Sequence, residues 1–345
     1  MKPINHQELA KYGVFIPMAK GLLEKHELAM DHSIAQDAQP TLTTTANSGI
    51  PAFLTNYLDP DVLQVLFTPN KAAVIFGEQI KGDWTTQTAM FPVVESTGEV
   101  SSYGDFNANG SVGANANWVP RQSYLFQTVT QWGELELARA GEAKISWAQQ
   151  LNKASAMVLD KFMNQAYFFG IAGLENYGLL NDPSLPASIA PGAFNSGTGS
   201  TGNTWALKSA SDIYADIVLI WDQLVLQTNG LIDRDTPMVL ATTPTVEANL
   251  TKTNQYNVNV YDQIKKNFPN LRIETAPQYA VSGGNLVQMI VESIDGEKTG
   301  YCAYNEKLRA HPIKVDLSSF QQKKTSGTWG AVIRRPVGIA SMLGV

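Results

Sequence analysis

Cysteine, histidine and charged residues are all scarce in this sequence. Its 345 residues include one cysteine, Cys302, and four histidines, and only 16% are charged. One thiol excludes an internal disulfide network and any multi-cysteine metal site. Low surface charge favours association of identical copies, because little like-charge repulsion opposes their contact. The formal net charge of -6 and the absence of a basic run argue against a chain built to grip nucleic acid.

Signals for membranes, secretion and nucleotides are missing as well. No apolar run approaches about 18 residues, and residues 1–10 lack a basic segment followed by an apolar one, so we expect neither a membrane span nor a secretory signal. Neither a Gly-x-x-x-x-Gly-Lys-Ser/Thr loop nor a Gly-x-Ser-x-Gly elbow occurs. His26 and His32 are six residues apart and do not share a helical face, as a metal pair would. The sequence therefore predicts no cofactor and no metal.

Two residue pairs could still do chemistry. Cys302 could be a nucleophile activated by His311, but a lone thiol in an apolar strand more often packs in a core. Glu134 and Glu136 would face one way on a predicted strand as a carboxylate pair. A solvated strand face or an intersubunit salt bridge explains them better. We interpret the chain as a structural protein and not as an enzyme.

The N-terminal part is predicted to be an extended arm. Residues 1–58 mix short apolar clusters with Thr-, Gln- and Asn-rich connectors. Such a segment offsets its ordering entropy only by lying on another surface, and the alternative is a floppy tail. A short helix is predicted to begin at Asp59-Pro60, with Asp at the N-cap and Pro in the first turn.

Residues 84–137 predict a long two-stranded ribbon. Its arms are Trp84–Val100 and Trp118–Leu137, and the segment Tyr103–Asn117 between them is rich in Gly and Asn, which tolerate positive φ at a tip. A two-stranded hairpin is at best marginally stable alone in water. The predicted ribbon must therefore lie against something, which in a self-assembling protein can be the next subunit.

Residues 138–170 have the clearest helical periodicity, and Gly170 ends the segment. A helix of this span would be on the order of 50 Å long, which is typical of a structural spine. We expect Phe162→Ala in its apolar stripe to cost about 3 to 5 kcal/mol. The predicted stripe consists of Ala148, Leu151, Ser155, Val158, Phe162, Ala166 and Phe169.

A compact α/β unit is predicted after the polar linker Gly192–Thr204. Its first helix, Ser209–Asn229, has a Ser209/Asp212 start, an Asn-Gly stop and the stripe Ile213, Ile217, Ile220 and Leu224. Residues 312–345 then return to β-type sequence, which implies a discontinuous first domain. The other predicted elements are strands at Met238–Ala241, Leu271–Glu274 and Leu286–Val291 and helices at Thr243-Pro244 and Tyr261–Phe268.

Three local motifs add a family resemblance that covers nearly the whole chain. They are the run Gln127-Thr-Val-Thr-Gln-Trp-Gly-Glu-Leu-Glu, the turn Gly178-Leu-Leu-Asn-Asp-Pro-Ser-Leu-Pro and the strand Thr328-Trp-Gly-Ala-Val-Ile-Arg-Arg-Pro. With the order of elements, they resemble the major capsid proteins of tailed bacteriophages with the Hong Kong 97 fold. That fold is α+β, with an N-terminal arm, an extended β-hairpin loop, a long spine helix, a peripheral domain and an inserted axial domain.

The resemblance implies a function and a set of partners. The chain would self-assemble into hexamers and pentamers of an icosahedral head that encloses double-stranded DNA without sequence specificity, and it would be assembled in the host bacterial cytoplasm. Portal, scaffolding and decoration proteins are the further partners, and no membrane is involved. Because the arm starts almost at once, a separate scaffolding protein is expected. The candidate intersubunit contacts on the hairpin are Trp84, Tyr103, Asp105, Trp118 and Arg121.

Two alternatives to the capsid function remain open. They are an encapsulin, which is a nanocompartment shell of the same fold that holds cargo protein, and a cytoplasmic α/β enzyme with a substrate site in the inserted unit.

The implied domains follow the order of the elements. The domains are 1–75 for the arm and short helix, 76–133 for the hairpin loop, 134–204 with 311–345 for the peripheral domain, and 205–310 for the axial domain.

Overall fold

The computed structural model describes residues 70–106, 109–142, 146–195 and 201–345. The predicted arm at 1–58 and the predicted helix at Asp59-Pro60 lie outside these residues. The chain divides into two compact units. The larger comprises Thr68–Ala138 and Ser146–Val345.

The larger unit contains both helices and strands, and no α-helix follows Asn267 in its described residues. The α-helices of the described residues are α1 (Ala72–Phe76), α2 (Glu134–Glu142), α3 (Trp147–Phe169), α4 (Ala210–Gln227), α5 (Pro244–Glu247) and α6 (Val260–Asn267). The strands up to residue 242 are β1 (Glu78–Ile80), β2 (Thr88–Gly98), β3 (Val112–Gln122), β4 (Tyr124–Gly133), β5 (Phe194–Asn195), β6 (Thr201–Gly202) and β7 (Met238–Thr242). The later strands are β8 (Leu271–Thr275), β9 (Ala280–Val281), β10 (Gly284–Val291), β11 (Ser293–Ile294), β12 (Glu297–Lys298), β13 (Gly300–Ala310), β14 (Lys314–Val315), β15 (Ser319–Ile333) and β16 (Ile339–Leu343).

One sheet has the order β16-β10-β7-β8, with β9 paired to β10. Strand β7 runs parallel to β8 and antiparallel to β10. All of β7 is buried, because the sheet is covered on both faces: Leu240 packs in one apolar core with α4 and α6, and Val239 packs in another with α1 and α3. A continuous apolar run is the pattern expected of a strand buried on both sides. The strands predicted at Met238–Ala241, Leu271–Glu274 and Leu286–Val291 are confirmed.

Helix α4 forms as its local signals predict. The Ser209 side chain accepts a hydrogen bond from the backbone N–H of Asp212, whose carboxylate accepts from the backbone of Ser209. This reciprocal cap satisfies two N–H groups that would otherwise lack partners at the helix start. The predicted stripe is confirmed, because each of its members is 0% exposed in the core against β7 and β10: Ile213, Ile217, Ile220 and Leu224.

The second sheet has the order β1-β13-β15-β14, and β4 also pairs with β15. Strand β15 therefore pairs with strands from distant parts of the sequence. Its residue Ser319 lies opposite Gly133 of β4, and its residue Ile333 lies opposite Gly300 of β13. Strand β16 lies in the other sheet, although residues 311–345 were predicted as peripheral, and β13 lies in this one, although residues 205–310 were predicted as axial. Both predicted segments thus contribute strands to both sheets.

The spine helix differs from its prediction in length and in its buried face. Residues 134–142 and 147–169 form separate helices, and α3 spans about 35 Å at 1.5 Å per residue. Its core contacts come from Leu159, Met163 and Tyr167, which are at most 3% exposed, whereas Phe162 is 39% exposed. Ser155 and Ala166 of the predicted stripe are buried, but the centre of the buried face is rotated by about one residue, or 100°, from that stripe.

The ribbon is shorter than predicted. It consists of β2 and β3 with a tip at residues 99–111, and the rest of the predicted second arm is β4, which belongs to the sheet with β15. Glu134 and Glu136 lie in the first turn of α2 and not on a strand, so the predicted one-sided strand pair of carboxylates is wrong. Acidic residues are favourable there because they face the positive end of the helix dipole.

Candidate assembly surface

The ribbon is a regular antiparallel pair that ends in free edges. Its register runs without a bulge from Thr88 opposite Gln122 to Gly98 opposite Val112. Among the described strands, β2 and β3 pair only with each other. Each strand therefore presents an outer row of backbone N–H and C=O groups that no other strand pairs, which is a template for pairing with another chain.

The two faces of the ribbon differ in burial. Alternate residues of a strand point to opposite faces, and directly opposed residues share a face. One face holds Phe91 and Arg121, which are 7% and 3% exposed. The other holds Met90, Val94 and Trp118, which are 68%, 63% and 56% exposed. One face is thus fixed to the body of the subunit and the other presents apolar side chains to solvent.

The fixed face is attached by packing at the foot of the ribbon. Phe91 meets Trp329 of β15 edge to face, with ring centroids 6.5 Å apart. The two rings form a small apolar core with Tyr301, Ala303 and Val332. Beyond Phe91 the described side chains of β2 are exposed, so the part of the chain that the structure describes does not bury the outer ribbon.

A buried ion pair is the second attachment. The Arg121 guanidinium contacts the Asp182 carboxylate at 2.5 Å, with the two side chains 3% and 1% exposed, and it lies 4.8 Å from the centroid of the Tyr177 ring. Asp182 also accepts hydrogen bonds from the backbone N–H and the hydroxyl of Ser184. Asn176 donates to the backbone carbonyl of Gln122. The turn after α3 therefore holds the last residues of β3.

The tip combines exposed aromatic rings with acid. Tyr103 is 93% exposed and Phe106 fully exposed. The Tyr103 hydroxyl donates to Asp105 at 2.7 Å, and this hydrogen bond raises the pKa of Tyr103. Residues 82–120 contain no Lys or Arg, and their acidic residues are Asp83, Glu95, Glu99 and Asp105. Residues 82–120 thus carry apolar and aromatic side chains, and their charged side chains are all negative.

The structure separates the five residues predicted as hairpin contacts. Tyr103 and Asp105 are together at the tip, and Trp118 lies on the exposed face. Trp84 lies in the turn before β2, where the Arg309 guanidinium is 4.5 Å from its ring centroid. The prediction for Arg121 is wrong, because its side chain is buried in its own subunit and cannot reach a neighbour.

Sequence reasoning missed several exposed apolar residues of the ribbon. Met90, Val100, Phe106 and Val112 are between 68% and fully exposed. For Val100, Phe106 and Val112 the signal was available, because each interrupts a stretch rich in Gly, Ser and Asn. Met90 follows Ala89 and precedes Phe91, so its neighbours gave no such signal. Isolated apolar residues in a protruding hairpin indicate a contact surface.

The catalytic candidates do not form a site. Cys302 is fully buried, and burial together with Glu78 raises the pKa of its thiol well above the usual value, so the nucleophilic thiolate is disfavoured. His311 lies nine residues further along the extended chain, about 30 Å away at about 3.3 Å per residue. The described residues contain no cluster of potential metal ligands, and none of their helices is long and apolar enough to cross a membrane.

A mixed body of two sheets with a protruding ribbon defines a class of shell-forming proteins, the phage capsid proteins. The chain belongs to the family described as Pa193 gp26 major capsid protein, whose model matches residues 41–344. It is accordingly a structural protein of a phage capsid.

Solved structures agree in fold. The capsid of Myoviridae phage XM1 superposes with a TM-score of 0.70 at 14% identity, over 87% of this chain and 100% of that one. The capsid of a native GTA particle gives a TM-score of 0.59 at 8% identity, over 87% and 99% of the two chains. Mycobacterium phage Ogopogo gives 0.53 at 13% identity, over 84% and 96%. No curated protein sequence matches the chain.

Proposed function

We propose that this chain forms hexamers and pentamers that close into an icosahedral head around double-stranded DNA. The observation that carries the proposal is the ribbon, whose apolar face and free edges need a partner that the described residues of its own subunit do not supply. In a closed shell every subunit has neighbouring copies of itself, and one of these can be the partner of the ribbon. The low fraction of charged residues, 16%, allows such copies to approach.

The roles of the domains follow from this assembly. The ribbon of β2 and β3, within the segment 76–133, is the hairpin loop that overlaps a neighbour. The peripheral domain, 134–204 with 311–345, holds α3, and the axial domain, 205–310, surrounds the axes of the capsomers. The Hong Kong 97 fold has this arrangement, and the order of elements in the described residues supports it.

The remaining partners are those of a phage head. The particle is assembled in the bacterial cytoplasm with a portal protein, a separate scaffolding protein and a decoration protein, and it holds its DNA without sequence specificity. The net charge of -6 supports a shell that encloses DNA without gripping it. The chain needs no cofactor and catalyses no reaction, which the buried, protonated Cys302 supports.

The direct test is electron microscopy of the expressed chain. We expect closed particles, and those produced in an infected host should contain DNA and a portal. Particles that instead enclose a cargo protein would support the encapsulin alternative. A chain that remains a monomer under all conditions, with or without the phage's other head proteins, would contradict the proposal.

Deleting the tip from Asp105 to Asn115 should leave the subunit folded and abolish closed particles. Within the described residues, the deletion removes the last four pairs of the ribbon, from Glu95 opposite Asn115 to Gly98 opposite Val112, and no strand pairing of the two sheets. The measurements are particle yield by sedimentation and microscopy, and the melting temperature of dissociated subunits.

A pair of point variants gives the matched control. Phe106→Ser removes a fully exposed ring from the tip, and Tyr256→Ser removes a ring that is 76% exposed from a turn outside the ribbon. We expect only Phe106→Ser to lower the particle yield. Equal yields from the two variants, or normal particles from the deletion, would show that the tip makes no essential contact.

A further inference from the structure

A pocket at the foot of the ribbon is rich in cations. It has a volume of about 280 Å³, and its lining combines Pro92 and Val94 of β2 with Glu297, Lys298, Arg334 and Arg335. Each arginine forms one long ion pair with an exposed carboxylate: Glu297 lies 3.5 Å from Arg334, and Asp295 lies 3.9 Å from Arg335. Pairs of this kind contribute little, so the cations remain available.

Hydrogen-bonding groups beside this pocket lack partners. The Nε of Arg334, the hydroxyl of Tyr301 and the Oγ1 of Thr299 are buried and have no hydrogen-bond partner among the described residues. Thr299 is 1% exposed and lines an adjoining pocket of about 160 Å³, which shares Lys298 with the first. Burial raises the pKa of Tyr301, so its hydroxyl keeps its proton. Of the three residues, Arg334 lines the first pocket and can donate to an anionic acceptor there, and buried donors without partners are costly.

The ribbon has the complementary chemistry. Residues 82–120 contain acidic side chains and no Lys or Arg, and Asp105 and Glu99 are exposed at the tip. Rings and closed shells need heterologous contacts, in which one surface of a subunit meets a different surface of the next. The chain offers one surface of each kind: an acidic, aromatic tip and a basic pocket with the apolar wall of Pro92 and Val94.

We propose that the pocket formed by Lys298, Arg334 and Arg335 binds the acidic ribbon tip of a second copy of this chain. The proposal rests on the assembly proposed above and names the receiving site. A tip carboxylate pairs with the cations, and an aromatic side chain covers Pro92 and Val94. The apolar wall of Pro92 and Val94 favours a peptide that carries an aromatic side chain beside its carboxylate over a nucleic-acid phosphate.

Charge reversal with matched controls tests the pairing. Lys298→Glu and Asp105→Lys should each lower the yield of particles by about tenfold at low salt, because each places like charges in contact. The controls are Lys314→Glu and Asp222→Lys, which reverse exposed charges outside the two surfaces and should assemble normally. All four changed side chains are exposed, so the melting temperatures of dissociated subunits should stay unchanged.

The combined variant Asp105→Lys with Lys298→Glu restores the opposite charges and should recover most of the yield. Normal assembly of Lys298→Glu, or a combined variant no better than either single one, would overturn the pairing. If Lys298→Glu lowers the yield while Asp105→Lys and Glu99→Lys do not, the pocket receives some other anion and the proposal is also wrong. In each case the unmodified chain still forms particles, so the proposed shell function would stand.

Discussion

Replacing Asp182 with alanine is expected to lower the free energy of unfolding of the subunit by about 3 to 5 kcal/mol. The change leaves the Arg121 guanidinium 3% exposed without its carboxylate. An unpaired buried charge is far more costly than the loss of an exposed ion pair. Urea unfolding of dissociated subunits, followed by tryptophan fluorescence, measures the effect.

Glu292→Ala is the matched control. It breaks the Arg272–Glu292 pair, whose side chains are 48% and 43% exposed, and should cost no more than about 1 kcal/mol. Replacing both buried partners, as Arg121→Met with Asp182→Leu, should regain most of the loss, because no charge then remains buried. Equal destabilisation by Asp182→Ala and Glu292→Ala would mean that the ion pair does not hold the foot of the ribbon.

The second large effect is expected from Met163→Ala in α3. Met163 is 1% exposed in the core between the two sheets, and removing it leaves a cavity that should cost about 2 to 5 kcal/mol. Thermal and urea unfolding of dissociated subunits provide the measurement.

The adjacent Phe162→Ala is the comparison. Phe162 is 39% exposed, although its ring centroid lies 4.6 Å from that of Phe126, so we expect a loss of about 1 to 2 kcal/mol. This replaces the value of about 3 to 5 kcal/mol that the helical stripe predicted. A larger loss from Phe162→Ala than from Met163→Ala would restore the original stripe.

These neighbouring residues show where periodicity stops being informative. Apolar residues occupy more than one face of α3, because Val158, Phe162 and Phe169 are apolar and yet between 37% and 54% exposed. A period of about 3.6 residues identifies the helix from any of these faces. Only the packing of α1, β13 and β15 against it decides which face is buried.

The end of the ribbon was predicted wrongly for a similar reason. Strands β3 and β4 are separated by Ser123 alone. The partner of β3 is the nearby β2, whereas the partner of β4 is β15, almost 200 residues later. Strand propensity is local and pairing is not, so the sequence predicted one long arm where the fold has two strands.

Burial of charge was also invisible in the sequence. Lys208 and Asp216 form an ion pair at 2.5 Å with side chains 1% and 4% exposed, and Arg121 is equally buried. Charged residues are almost never fully buried unless they are paired, and the partner of Arg121 lies 61 residues later in the chain. For this reason Arg121 was predicted to be a surface contact.

The sequence by itself determined the class of protein, the α4 helix with its cap and stripe, and the buried strands of the sheet around β7. Each of these depends on signals within a few residues or on motifs whose order is written along the chain. Tertiary structure alone decided the face of α3 that is buried, the sheet to which β4 and β16 belong, and the pairing of Arg121 with Asp182. These features depend on contacts between residues tens to hundreds of positions apart, which local propensity and hydrophobic period do not contain.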